Sequence, residues 1–424
     1  MAPMLLEDSP VEEIITKSSE DPVSSQCLLY TKFSVFRRLV PLVADKNVTH
    51  LNAAFMPPSN LIIHEAISKF CSQGLHDLSP KAQWRNDVED TRSLVGQYIN
   101  SDPSSLAFTR DTTEAMGYFM HSLVIKPGDN VVILDCEHPN QAYGWLSLRK
   151  AGLEVRQVPT VTANEGKPMA ANSETFLPFV DERTRAIGLS SIMFHNGQWN
   201  DIADVAATYR PRGIHVLADL TQQVGFADLD VQALGVSAAA FSLHKGFNCP
   251  TGIAVLYVNE DIIKKENPIP PIVSYGSVAS TSEDFLVPPG PIAFHPTARR
   301  YEHANMSLIG AVAAKAFLRF YLEIMGAKCV QTYLYSLGDA LLRECKRVGV
   351  GIVGPADHRQ HAPHLYTLRL CNPAWDEHFK NNNVAVSAFR WGIRVSFGFY
   401  NNLDDIRRFI GVIESGIEAG IAIE

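Results

Sequence analysis

One lysine, Lys245, stands in the polar turn Ser242-Leu243-His244-Lys245-Gly246 between the apolar runs Ala238 to Ser242 and Gly252 to Val258. An amine so placed either snorkels to solvent or lies in a cleft where lost hydration lowers its pKa and leaves it nucleophilic toward carbonyls. Upstream, Ile214-His215-Val216-Leu217-Ala218-Asp219 is an apolar run that ends in an acid. Alone, that aspartate reads equally as a turn or N-cap residue. In an open α/β sheet, however, residues at the carboxyl ends of neighbouring strands face one crevice. An amine and a carboxylate facing one site are the pair that pyridoxal phosphate requires. The amine condenses with its aldehyde, and the carboxylate keeps its pyridine nitrogen protonated so that the ring withdraws electrons.

Two further segments could serve such a group. Phe108-Thr109-Arg110-Asp111-Thr112-Thr113-Glu114 is a strand end followed by hydroxyls and a helical run. It is either an ordinary helix cap or a phosphate seat made of free N–H groups, the positive helix end and two hydroxyls. After Val131-Val132-Ile133-Leu134, the stretch Asp135-Cys136-Glu137-His138-Pro139-Asn140 offers His138 as a flat ring to stack on a cofactor, or simply as a satisfied polar residue.

The elements that must position these residues alternate. Short runs rich in Val, Ile, Leu and Ala cover Asn130 to Asp135, Glu154 to Val158, Ala186 to Ile192, Ile214 to Asp219, Ala238 to Ser242 and Gly252 to Val258, several followed by helical periodicity. The pattern predicts an α/β fold with a largely parallel sheet covered on both faces. Val258 to Pro296, interrupted by Pro268, Pro270, Pro271, Pro288, Pro289 and Pro291, reads as a long connection; Met306 to Met325 reads as a helix, and His364 to Arg369 and Ile393 to Ser396 as strands of a smaller C-terminal α+β domain. The expected organisation is a mobile arm over residues 1–27, an N-terminal segment over 28–60 that packs with the small domain, a large domain over 61–296 and the small domain over 297–424.

A length of 424 residues suits such a division. A net charge of −8 gives no footprint for nucleic acid, and no run of about 18 apolar residues marks a membrane span. Seven scattered cysteines without a Cys-x-x-Cys pair argue against a disulfide framework or a zinc site. The acidic first 25 residues resemble neither a secretory nor a mitochondrial leader, which makes the expected compartment cytoplasmic.

Together these segments, in order from about Leu51 to Ile410, resemble the class V aminotransferase and cysteine desulfurase group of fold-type I pyridoxal-phosphate enzymes, which includes kynureninase and isopenicillin N epimerase. The resemblance implies a large domain with a seven-stranded type of sheet and a homodimer with shared active sites. It implies Lys245 as the Schiff-base lysine, Asp219 on the pyridine nitrogen, His138 on the ring, and Gln222 near the phenolic oxygen. Thr112, Thr113, Ser242 and His244 would hold the phosphate. Asn196, in Met193-Phe194-His195-Asn196-Gly197, takes the place of the family asparagine beside the phenolic oxygen, and Leu51-Asn52-Ala53-Ala54 matches the family's opening. Arg394, in Ile393-Arg394-Val395-Ser396, becomes the clamp for the substrate carboxylate, although an arginine on such a strand is otherwise a surface residue. Arg390 either assists it or faces water. Asn52, Phe55, Met56, His195, Trp199, Tyr275 and Arg390 are candidates for lining the substrate pocket, a surface suited to a bulky or cyclic amino acid.

The chain also departs from that pattern. The family's Arg-x-Glu-x-Gly-Thr, whose threonine reaches the neighbouring subunit's phosphate, is Arg300-Tyr301-Glu302-His303-Ala304-Asn305, which leaves Asn305 as the candidate contact. Cys249 replaces a glycine after the lysine and reads as a packed small residue. Asn381 to Arg394 holds no cysteine, the residue that a desulfurase needs on its mobile loop. The expected reaction is formation of a Cα carbanion from an amino acid, with epimerisation or ring closure of the Mannich type favoured. Elimination by a C–S lyase and transamination are the alternatives, and a non-catalytic binding protein is disfavoured because Lys245 and Asp219 are both present.

Overall fold

The computed structural model describes residues 25–161, 169–279, 290–355 and 357–423. In chain order the strands are β1 (Thr49–His50), β2 (Leu106–Thr109), β3 (Asn130–Leu134), β4 (Glu154–Val158), β5 (Thr184–Ser190), β6 (His215–Asp219), β7 (Ala238–Ser242), β8 (Ala254–Val258), β9 (Ile352–Val353), β10 (Leu365–Leu368), β11 (Val384–Ala385), β12 (Ser387–Phe389) and β13 (Gly392–Ser396). Seven of them form the central sheet in the order β2-β8-β7-β6-β5-β3-β4. Strands β3 to β7 are mutually parallel, and β8 runs against both β7 and β2. Hence β2, β3, β5, β6 and β7 all end on one edge. Every residue of β2, β3, β7 and β8 is buried, as expected of a sheet covered on both faces.

The second sheet is antiparallel, in the order β12-β13-β10-β9. It is tied to the start of the chain, since β1 pairs in parallel with β11 and Asn52 bridges Ser396. That pairing brings Asn52 against residues more than three hundred positions away.

Sequence periodicity placed the sheet but overlooked two long helices, Leu61–His76 and Lys81–Ile99, on which Leu308–Arg319 packs. Charges on Lys81–Ile99 dilute its apolar stripe, whereas Leu61–His76, with only Glu65 and Lys69 charged, was legible and passed over. The expected connection after Val258 contains a helix, Glu260–Glu266, whose N-terminus is capped by Asn259, so the proline-rich stretch is less irregular than its composition implied. The helix expected over Met306 to Met325 is α-helical through Arg319 and closes as a π-helical turn. Of the arm expected over residues 1–27, residues 1–24 lie outside the described residues, while a helix, Ser25–Phe36, begins inside its boundary.

Two local arrangements fix the edge where the strands end. Glu302 is buried against Arg92, with oxygen–nitrogen distances of 2.6 and 3.2 Å, and accepts the Phe108 amide at 2.7 Å, anchoring β2 from below. Removing one partner leaves a buried charge uncompensated, so Glu302→Ala should lose about 3–5 kcal/mol of folding stability, measured by urea denaturation. An unchanged midpoint would show that water replaces the carboxylate at no cost.

Second, the turns after β6 and β7 touch backbone to backbone at Gly225 and Gly246. A Cβ on Gly246 would lie 2.2 Å from Val224 O, and one on Gly225, which has φ +78°, would lie 2.5 Å from the Gly246 carbonyl carbon. Lys245 is thereby seated by a contact that no side chain permits.

Candidate active site

Asp219 closes β6 and is nearly buried. Its Oδ1 accepts the Thr221 amide at 2.9 Å, while Oδ2 accepts no hydrogen bond among the described residues. Lys245 is half-buried, and its amine donates no hydrogen bond and makes no ion pair among the described residues. Loss of hydration pulls that amine down to about 8, against the opposing pull of Asp219, with Arg394 adding to the depression. An amine so depressed loses its proton at a lower pH than an ordinary lysine, and the neutral form is the nucleophile.

Beside this pair the hydroxyls of Thr112, Thr221 and Ser242 converge. Thr112 Oγ1 lies 2.6 Å from Ser242 Oγ and 2.9 Å from Thr221 Oγ1. Thr112 opens the helix Thr112–Ser122, capped by the Asp111 carboxylate on the Glu114 amide, so first-turn N–H groups point at the same place. Thr113 is exposed beside it, and burial pushes the half-buried His244 down to about 4, keeping it neutral. Thr221 was missed by sequence reading, although it sits two residues past Asp219 in the same turn.

His138 caps the helix Pro139–Ser147, its Nδ1 accepting the Asn140 amide at 3.2 Å, which puts the ring proton on Nε2. Burial lowers its pKa, while Asp219 pulls the other way. Its neighbour Glu137 is fully buried and spans two strand ends, accepting Ser190 N at 2.9 Å, Ser190 Oγ at 2.7 Å and Gln141 Nε2 at 3.1 Å. Burial pushes this carboxyl up to about 7. Sequence reading passed over it in favour of the adjacent histidine.

Arg394 comes from the second sheet, opposite Ser387 on β12 and Thr367 on β10. It donates to Phe194 O at 2.7 Å, Asn52 Oδ1 at 3.3 Å and Ser387 Oγ at 3.4 Å, and lies 4.6 Å from the Phe389 ring centroid. It has no carboxylate partner among the described residues, its buried Nε is unpaired there, and burial lowers its pKa to about 10. A buried guanidinium without an anion is a receptor for one. Phe194 packs edge-on against His138 at 4.8 Å and Phe389 at 5.9 Å, and His195 lies 4.9 Å from Trp391. Phe389 and Phe194 make an aromatic wall that no local sequence signal revealed, because it depends on the β12–β13 register.

Several expected residues stand elsewhere. Asn196 is fully buried with its amide engaged by Gln198, through contacts of 3.4 and 3.2 Å, so its loop presents Phe194 to the cluster instead. Both ends of the Asn52 amide are occupied, by Val386 O and by Ser387 with Arg394, so it braces the arginine rather than offering a free contact. Phe55 and Met56 are exposed at 64% and 59%, and Arg390 is exposed beyond the cluster. Trp199 lines a different groove, with Asp201 and Arg359. Tyr275 and Asn305 share a surface groove with Arg85, Arg299 and His303, away from Lys245 of the same chain. Cys249 is buried, and burial raises its thiol pKa.

A large sheet whose strand ends carry a lysine, a carboxylate and a hydroxyl cradle, joined to a smaller antiparallel sheet carrying an arginine, defines a fold-type I α/β enzyme. The model for the class-V aminotransferases matches residues 65–409, and the chain belongs to that family, whose members are pyridoxal-phosphate enzymes. An uncharacterized aminotransferase of Schizosaccharomyces pombe is 45% identical over 388 residues, covering 91% of this chain and 96% of the relative. A second, uncharacterized protein of that yeast is 46% identical over 92% of this chain and 89% of its own length. Among solved structures, the apo cysteine desulfurase of Thermococcus onnurineus superposes with a TM-score of 0.77 at 20% identity, covering 90% of this chain and 97% of that one. At that identity the likeness concerns the fold. No helix among the described residues is long and apolar enough to cross a membrane.

Proposed function

We propose that this chain acts at the Cα of an amino acid with a bulky apolar or cyclic side chain, by epimerisation or ring closure, as a homodimer. The observation that carries the reading is the unpartnered Lys245 amine beside Asp219, with an anion-free Arg394 across the cleft. Pyridoxal phosphate, when bound, supplies an aldehyde for amines and a ring that withdraws electrons from the substrate's Cα.

Lys245 would hold the cofactor through its aldehyde, and the same amine is the group placed to carry the Cα proton as base or acid. Asp219, with Oδ2 uncommitted among the described residues, would keep the ring nitrogen protonated. His138 would stack on the ring, and Thr112, Thr113, Thr221, Ser242 and His244 would hold the phosphate dianion. Gln222 would donate to the phenolic oxygen. Arg394 would grip the α-carboxylate, and Phe194 and Phe389 offer the side chain an apolar wall. In a dimer, the exposed Asn305 and Tyr275 would serve the second copy's site.

Two features disfavour sulfur transfer. Asn381 to Arg394 lacks cysteine, and burial pushes the thiol of Cys136, two residues before His138, up to about 12, far from a reactive thiolate. The deciding experiment incubates the holoenzyme with amino acids in heavy water. Cα exchange with loss of optical rotation or closure of a ring is expected. Keto acid would identify a transaminase, pyruvate or thiol a lyase, and absence of exchange for every amino acid tried would overturn the reading.

A pH dependence follows from the lowered amine pKa. Stripped of cofactor, the protein should capture pyridoxal phosphate at a rate that rises with pH and levels off above a midpoint near 8, since only the neutral amine attacks. Stopped-flow absorbance measures this. An ordinary lysine would keep accelerating past about pH 10.

A further inference from the structure

His364 reaches the cofactor turn from the second sheet, and the turn's own geometry fixes what it does there. Gln222 Nε2 donates to Ala54 O at 3.0 Å, and Gln222 Oε1 lies 3.4 Å from His364 Nε2. A backbone carbonyl only accepts, so the amide nitrogen must face Ala54 and the amide oxygen must face the histidine. The imidazole nitrogen opposite that oxygen then carries the ring proton. Nδ1, buried and without a partner, is left as the bare nitrogen.

The imidazole stays neutral, because burial holds its pKa well below the ordinary histidine range and the positive charges of Arg394 and Lys245 reinforce the effect. Nor is the ring free to turn. It stacks on Phe226 with centroids 3.8 Å apart and planes 4° from parallel, and its backbone carbonyl accepts Phe397 N at 2.8 Å. The second Gln222 amide hydrogen has no partner among the described residues.

We infer that His364 is a positioning residue, which locks the Gln222 amide so that its free N–H, and never its carbonyl, is presented to the cofactor's phenolic oxygen. This rests on the pyridoxal-phosphate reading of the Lys245 site. It gives the second sheet a direct hold on the cofactor turn, separate from its hold on substrate through Arg394.

The test compares wild type, His364→Phe, Gln222→Ala, the double variant and His364→Gln, each loaded with pyridoxal phosphate. Two readings need no turnover: the position of the visible absorption band, and the dissociation constant of the cofactor from resolved apoenzyme, followed by fluorescence. His364→Phe keeps the stack on Phe226 but removes the donor. It should weaken cofactor binding about tenfold and move the band as Gln222→Ala does, with the double variant no worse than either single change. His364→Gln, which restores a donor, should return both readings toward wild type. If His364→Phe does not fold, His364→Met makes the same comparison. Wild-type readings in His364→Phe, or effects of the two single changes that add, would overturn the inference. A wild type with no borohydride-sensitive visible band would instead overturn the cofactor reading beneath it.

Discussion

Lys245→Ala should lower the rate of Cα hydrogen exchange by at least about 10⁴-fold and abolish borohydride fixation of the cofactor to the chain. General acid–base catalysis alone accounts for about 10²–10⁴-fold, and this variant also loses the attachment of the aldehyde. The hydroxyl cradle and Asp219 are untouched, so the variant should still bind pyridoxal phosphate, reversibly and without a covalent bond. No other lysine can substitute, because none is placed at the ends of β6 and β7. Mass spectrometry after borohydride reduction, run beside the exchange assay, checks both statements. A variant that exchanges at even a hundredth of the wild-type rate would show that the proton moves through another group.

Asp219→Asn should lose about 10²–10⁴-fold in the same assay while still being fixed by borohydride. Its Oδ1 contact with the Thr221 amide can persist in asparagine, but the charge that holds a proton on the ring nitrogen cannot. Truncating one side of a buried charge pair typically costs about 3–5 kcal/mol, which sets the range. The substitution has a second signature. Because Asp219 raises the Lys245 pKa, its neutralisation should move the midpoint of cofactor capture to a pH below about 8. A midpoint that stays in place, or that rises, would separate the two residues electrostatically and contradict the site.

How legible this site was depended on chain distance. The strand ends were readable because buried parallel strands are short apolar runs, and Asp219, Lys245 and Thr112 each stand at or just past such a run. His138 was offered by the strand end before Pro139 and Arg394 by the family resemblance; the charge of Arg394 acts on Lys245, and Asp219 and Lys245 act on His138. What could not be read depends on register between distant segments. Asn196 and Phe194 differ by two positions in one loop, and only the pairing of Asn196 with Gln198 decides which faces the cluster. Phe389 enters because β12 lies against β13, and His364 because β10 brings it under Gln222. The helix Lys81–Ile99 escaped for another reason, since it carries too much charge to leave a clean stripe, while Leu61–His76, with two charged residues, could have been read.

The contact of Gly225 with Gly246 also bears on how this scaffold can change. In a library of random variants screened for a new substrate, positions 225 and 246 should return only glycine, because any Cβ there collides with backbone that cannot yield. Phe194, Phe389 and Trp391 meet no such barrier, being side chains at a partly open rim. The adaptable part of the molecule is therefore one aromatic wall, and the lysine's seat is a fixed point around which new specificities can be selected.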